Sequence, residues 1–311
     1  MAKKAAIRDA YGEALKALGA RNEKVVALEA DVGGSTKSMT FGKAFPDRYF
    51  EVGIAEINMV AMAAGMAREG MIPFVNTFSN FLATRGGDPI QTLIAYDKLN
   101  VKMAGTYVGM SDSYDGASHH AITDIGYLRA IPNMVVITPA DVNEAKAAVN
   151  AAAEYVGPVY LRNSRNPVPI VYPEDMKFEI GKGIVCCEGT DITIITHGTI
   201  LSNAIEAAAQ LKEEGISAKV IDMHTLKPID SELIVASAKE TGVILTVEEH
   251  SLQGGLFSAV SEVLAAEYPT PVSAIGMTEF AESGDYEQLQ EKYGLGVNSI
   301  KEGVKKALAR K

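Results

Sequence analysis

The sequence predicts an α/β protein of two domains, each a mainly parallel sheet flanked by helices. Short continuous apolar runs alternate with helix-spaced segments along the chain, and such runs belong to parallel strands covered on both faces. The alternation breaks once, where Pro167, Pro169 and Pro173 precede a polar stretch with two glycines, Gly181 and Gly183; this composition marks a linker. A chain of 311 residues with 47% hydrophobic content is long enough for two cores. The domains are accordingly placed at residues 1–166 and 191–311, with 167–190 between them.

In the first domain, residues 7–18 have helical spacing, and 25–28, 72–75, 101–104, 134–137 and 159–161 read as strands. Helices are predicted over 56–69, 86–96, 122–130 and 141–155. In the second domain the strands are 192–195, 219–221 and 243–247, with helices near 201–213, 231–239 and 256–266. A basic helix from Ile300 to Arg310 ends the pattern.

Composition narrows the function classes. The balance of 29 basic and 39 acidic residues, a formal charge of −10, argues against general nucleic-acid binding, which needs clustered Lys and Arg. No apolar run reaches the ~18–20 residues of a membrane span, and the start lacks a sustained apolar signal region. The two cysteines are the adjacent pair Cys186-Cys187 in an apolar run. On a strand they face opposite ways, one buried and one more exposed, without a vicinal disulfide; a cytoplasmic location fits. There is no Gly-x-Gly-x-x-Gly fingerprint, no P-loop and no zinc-like Cys/His spacing.

The segment from Val52 to Met59 is the most informative. It turns at Gly53 and carries Glu56 into a helix of small and apolar residues. A carboxylate there lies at the positive end of the helix dipole. It is either a helix cap or a group for proton chemistry in an apolar cleft, where burial raises a carboxyl pKa unless a partner offsets it.

Seven motifs occur in a fixed order: Glu29-Ala30-Asp31-Val32, Phe45-Pro46-Asp47-Arg48-Tyr49-Phe50, Val52 to Met59, Thr77-Phe78-Ser79-Asn80-Phe81, Asp115-Gly116-Ala117-Ser118-His119-His120, Ile131-Pro132-Asn133-Met134, and Thr138-Pro139-Ala140-Asp141-Val142-Asn143-Glu144. Together they resemble transketolases, which are thiamine-diphosphate enzymes. The resemblance covers the pyrimidine-binding and C-terminal domains, essentially the whole chain. It omits the pyrophosphate-binding domain, because no Gly-Asp-Gly followed by Asn is present. It implies the C-terminal subunit of a split transketolase that moves a two-carbon ketol unit between anionic ketose and aldose substrates. Magnesium and the cofactor diphosphate would be held by a separate N-terminal subunit, and self-association would give a heterotetramer. Alternatives are the β subunit of a 2-oxo acid dehydrogenase and a non-catalytic α/β subunit.

The resemblance also implies roles residue by residue. Glu56 hydrogen-bonds a ring nitrogen of the cofactor's aminopyrimidine, whose exocyclic nitrogen then takes the proton from the thiazolium carbon. Phe78 and Phe81 wall the pyrimidine, though their spacing also suits core packing. Val32 touches the cofactor, and Asp31 binds beside it or caps the next helix. Asp115 accepts from a hydroxyl of the donor ketose, and His119 contacts the substrate near the reacting carbon. Arg165, assisted by Ser35, grips the sugar phosphate, with Arg162 a competitor for the anion. Tyr107 stands where the family has a phosphate-binding His, and the stretch before Asp115 also departs from the family pattern. No metal is assigned to this chain; the adjacent His119 and His120 lack a third ligand. Thr196-His197-Gly198-Thr199 precedes a helix and reads as structural, or as an anion site. Glu248-Glu249-His250 and Gly254-Gly255 resemble the family's C-terminal domain, with His224 and His250 at a domain or subunit interface.

Overall fold

The computed structural model describes residues 3–311. Its strands are β1 (Lys4–Ala6), β2 (Val25–Glu29), β3 (Tyr49–Glu51), β4 (Ile72–Phe78), β5 (Lys102–Thr106), β6 (Val135–Ile137), β7 (Val159–Asn163), β8 (Pro167–Pro169), β9 (Ile184–Cys187), β10 (Ile192–Thr196), β11 (Ala218–Asp222), β12 (Thr225–Lys227), β13 (Ile244–Ser251) and β14 (Val272–Met277). A seven-stranded sheet runs β12-β6-β7-β5-β4-β2-β3, and a five-stranded sheet runs β14-β13-β10-β11-β9. Both are parallel apart from one outer strand each: β12 is antiparallel to β6, and β9 is antiparallel to β11. The predicted fold class is therefore the one observed.

The apolar runs that signalled strands are buried along their whole length, as in β2, β5, β7, β10 and β11. Helices cover both faces of the first sheet. Helix Ile7–Arg21 packs Tyr11, Leu15 and Leu18 against Phe74 and Val149 on one side. Helix Glu56–Arg68 packs Met59, Val60 and Ala63 on the other. That second core also takes in Ile195, Ile221 and Leu226 from the C-terminal half, so the two domains share a hydrophobic core.

Some elements were not legible. β3 and β12 are three residues each, and β14 (Val-Ser-Ala-Ile-Gly-Met) is a half-exposed edge strand without a continuous apolar run. The helix expected over 86–96 is a short turn, Gly87–Pro89, followed by a π-helical stretch, Ile90–Ala95; Pro89 at its start has no N–H to give to a regular ladder. The stretch 167–190, expected as a linker, holds two strands: β8 pairs with β1, and β9 belongs to the second sheet. Asp141 fastens this stretch, capping helix Val142–Glu154 through Oδ1 while Oδ2 accepts from Val171 and Tyr172 N–H at 2.7 and 2.8 Å. Cys186 and Cys187 are free and both half-buried, not one in and one out. The cause is a register shift: Val185 and Cys187 face the successive residues Ile221 and Val220, leaving Cys186 as the extra residue of a bulge.

Candidate active site

The C-terminal ends of β2, β3, β4, β5 and β7 meet at one edge of the first sheet, where open α/β sheets present ligand-binding loops. Glu29, at the end of β2, is buried and pins the first loop. Its carboxylate accepts from Ala30 N at 3.0 Å, Val32 N at 3.3 Å and Thr36 Oγ1 at 2.6 Å, and also from Ser38 Oγ. Burial raises Glu29 to about 7, against the pull of these donors. Asp31 follows in the left-handed region at φ 62°, its N–H donating to Glu51 Oε1 at 2.7 Å. The next helix, Gly33–Thr36, has no side-chain cap, so Asp31 does not cap it. Residues Asp31, Val32 and Ser35 thus sit on a loop braced by Glu29 and Glu51.

Glu56 is the first residue of its helix and is 5% exposed. It makes no capping bond either. Its partner is Arg85, with Nη1 2.9 Å from Oε1, and the Arg85 guanidinium lies 4.0 Å from the Phe81 ring centre. This arginine supplies the charge that lets a carboxylate sit so deep. Phe81 and Phe78 are 5.9 Å apart, Phe78 lies 4.3 Å from Tyr107, and His119 presents an edge to Phe81 at 5.1 Å. Four predicted site residues therefore form one aromatic cluster, rather than two phenylalanines lost in the core. The His119 Nδ1 is 2.9 Å from Ser118 Oγ. Gly116, at φ 76°, makes the turn between exposed Asp115 and His119, and the His119 N–H closes it on Gly116 O at 2.9 Å.

Tyr107 itself is in the left-handed region, φ 63°, a strained setting for a large side chain. The conformation brings two arginines to its ring: the Arg8 and Arg165 guanidinium carbons lie 5.3 and 5.0 Å from its centre. Arg8 Nη1 donates to the Tyr107 hydroxyl and to the Ser35 carbonyl at 3.1 Å, while its buried Nε has no partner. Ser35 thus enters the site through its backbone. Arg165 Nη1 donates to Asp112 O at 3.0 Å and Oδ1 at 3.2 Å, and a third of its side chain stays exposed. A tetrahedral anion beside Tyr107 would find guanidinium donors from both.

Arg162 is no competitor. It is buried, its Nε 2.8 Å from Asp124 Oδ2, and its Nη2 donates to Ala121 O at 3.0 Å and across the domain boundary to Glu249 O at 3.1 Å. Burial acts to raise Asp124, but Arg162 and His250 hold it below the ordinary carboxylate range. Tyr160 OH joins this seam, donating to Asp124 Oδ2 at 2.6 Å and lying 2.9 Å from Ser79 Oγ. Gly109, at φ 56°, lets its loop approach Glu249, whose Oε1 accepts from Met110 N at 2.9 Å; a Cβ there would collide with the carboxyl. His250 accepts from Gly126 N at 3.3 Å, and the His224 carbonyl accepts from Thr138 N at 2.8 Å, so both histidines bind across the domain boundary. The Thr196–Thr199 segment offers no anion site: Thr199 Oγ1 already donates to Glu249 Oε2 at 3.2 Å, and His197 is buried without partners. Among the described residues no group of three or more His, Cys, Asp or Glu could hold a metal ion, and no helix is long and apolar enough to cross a membrane.

Four contributors escaped the sequence reading: Arg8, Glu29, Arg85 and Asp112. Arg8 occupies an ordinary position on an amphipathic helix, and nothing local distinguishes it. Asp112 lies in a stretch noted only as a departure from the family pattern, Arg85 follows the Phe78–Phe81 motif without being part of it, and Glu29 stood within a motif credited to its neighbours.

Residues 3–170 match the family model of the transketolase pyrimidine binding domain, and residues 181–300 match that of the transketolase C-terminal domain. A putative transketolase C-terminal section from Methanocaldococcus jannaschii is 45% identical over 94% of this chain and 93% of its own length. A 6-deoxy-6-sulfo-D-fructose transketolase subunit from a Clostridium species is 36% identical, covering 98% of this chain and 95% of that one. A solved split gene transketolase, described as an inactive beta4 tetramer, superposes with a TM-score of 0.92 at 49% identity over 98% of both chains.

Proposed function

We propose a specific role for this chain from one premise: it belongs to the transketolase family and is a transketolase subunit. It transfers a two-carbon ketol unit between anionic sugars, using thiamine diphosphate, once joined by a second polypeptide that carries the pyrophosphate-binding domain and the magnesium. The observation that supports this most is the convergence at one sheet edge of a buried carboxylate, an aromatic wall and an arginine pair. These residues fit the cofactor's ring: Glu56 offers a carboxylate oxygen, and Phe78 and Phe81 offer flat apolar faces. When bound, the cofactor supplies the carbon nucleophile that breaks and re-forms the ketose carbon–carbon bond.

The chain's own residues do the rest. Glu56 holds the proton at the ring nitrogen, and Arg85 keeps that carboxylate compensated. Asp31 and Val32 border the ring from the braced loop. His119 exchanges a proton at the reacting oxygen, as an imidazole can near neutral pH. Asp115 accepts from a sugar hydroxyl. Arg165 and Arg8 take the terminal anion, with the Tyr107 hydroxyl beside them in place of the family's His. Ile54 and Ile57, 74% and 61% exposed on either side of Glu56, form an apolar rim over which a second chain would close. The free cysteines fit a cytoplasmic setting.

The test is reconstitution with a polypeptide carrying the missing domain. Ketol transfer from an anionic ketose is expected from the pair and not from this chain alone. Glu56→Gln should cost on the order of 10²–10⁴ in rate. Calorimetry showing tight, magnesium-dependent cofactor binding by this chain alone would sink the split-site reading.

A further inference from the structure

Asp112 is a fully buried carboxyl beside the anion grip. Its Oδ1 lies 3.2 Å from Arg165 Nη1, and its Oδ2 is buried with no hydrogen-bond donor. A second acid follows on the same short helical turn, with the Asp115 N–H 3.5 Å from the Asp112 carbonyl oxygen. Ser113, between them, is left-handed at φ 58° and opens the 3-10 turn Ser113–Asp115 that keeps the two acids close. Two carboxylates held close repel, and the repulsion favours protonation of the buried one. Resting on the reading of this edge as an anion site, we propose that Asp112 is an internal counter-ion that competes with the substrate's anionic group for Arg165, so that an anion binds together with a proton taken up by Asp112. Asp112 thereby sets the strength and the pH range of the grip.

The charged surroundings agree. Burial, and then Asp115, push Asp112 up to about 7 against the pull of Arg165. His120, whose Nε2 is 3.3 Å from Ser113 O, has its pKa lowered by burial. Arg8 is at the Tyr107 ring, and His119 is on the side of Phe81. An anion on Arg165 withdraws compensation from Asp112 and favours its protonated form. Below about pH 7 the proton is already in place. Above it each anion must bring one in, so affinity falls with rising pH by at most about tenfold per unit.

Sulfate is the probe, because it does not titrate near neutrality. Calorimetry on the full chain, in buffers of differing ionisation heat, would give affinity and proton uptake from about pH 6 to about pH 8. Wild type should lose roughly tenfold or more in affinity across that range, with uptake rising towards one proton. Asp112→Asn should bind about as tightly at the upper pH as wild type does at the lower, with the uptake gone. Should that variant fail to fold, Asp115→Asn serves: it should keep the dependence but move its midpoint down. The variant His119→Gln should leave the dependence in place. Equal slopes in wild type and Asp112→Asn, or an unmoved midpoint in Asp115→Asn, would overturn the proposal alone. Sulfate binding unaltered by Arg165→Ala would instead overturn the anion site itself.

Discussion

Arg162 and Arg165 leave the end of the same strand and serve opposite ends. Arg162 points into the domain seam, where Asp124, two backbone carbonyls and the neighbouring buried His250 and Glu249 surround it. Arg165 points to the open sheet edge, where its one carboxylate partner is itself crowded by another carboxyl and part of its side chain remains exposed. A buried guanidinium held by a carboxylate and two carbonyls can hold a structure together but is closed to a ligand from solvent. One left partly unsatisfied, beside a strained tyrosine and a second arginine, can take one.

The contrast breaks most sharply at the seam. Asp124→Ala would strand a buried guanidinium and remove the acceptor of Tyr160, so a loss of about 3–5 kcal/mol is expected. Chemical denaturation should show it, and an unchanged midpoint would deny the seam its structural role. At the open edge the expected effect is smaller and of another kind. Arg165→Ala should weaken an anionic donor by roughly 1.5–3 kcal/mol, read as KM on the reconstituted pair, with little change in melting temperature. If instead the melting temperature falls as far as in Asp124→Ala, the two arginines are alike and the comparison fails. Restoring the family residue by Tyr107→His should lower KM for xylulose 5-phosphate.

The smallest expected effect sharpens the picture of the seam as a store of protons. Glu144 and Asp222 are buried where the domains meet, each with one oxygen lacking a donor and each acting on the other's titration, and Tyr172 OH bonds Asp222 at 2.8 Å. Burial raises both, Asp222 to about 7. The folded chain therefore keeps a proton that the unfolded chain loses near its ordinary carboxylate pKa. Stability from this pair is complete below that value and declines as pH rises towards about 7, by at most about 1.4 kcal/mol per unit. His224 and His250, both lowered by burial to about 4, act in the opposite sense up to their unfolded value. They cancel when wild type is compared with Asp222→Asn, whose amide can donate to Glu144. The variant should decline less steeply between about pH 5 and about pH 7 in denaturant titrations; parallel curves would show that no proton is shared.

Local pattern was sufficient for strands buried on both faces such as β2 and β10, whose mostly apolar, β-branched runs signal them whatever surrounds them. It also singled out Glu56 as a candidate, because a carboxylate opening a helix of small residues is conspicuous, and the ordered motifs did the same for Phe78, Phe81, Asp115 and His119. Tertiary structure alone decided which charges are free. Arg162 and Arg165 differ only in what other elements bring to them: Asp124 from a distant helix, Asp112 from a loop. Arg8 reaches the Tyr107 hydroxyl because helix Ile7–Arg21 starts beside it. β12 joins the first sheet although it lies in the second half of the chain. Burial and pairing depend on atoms far apart in sequence, and these set whether a charged side chain is a strut or a hand.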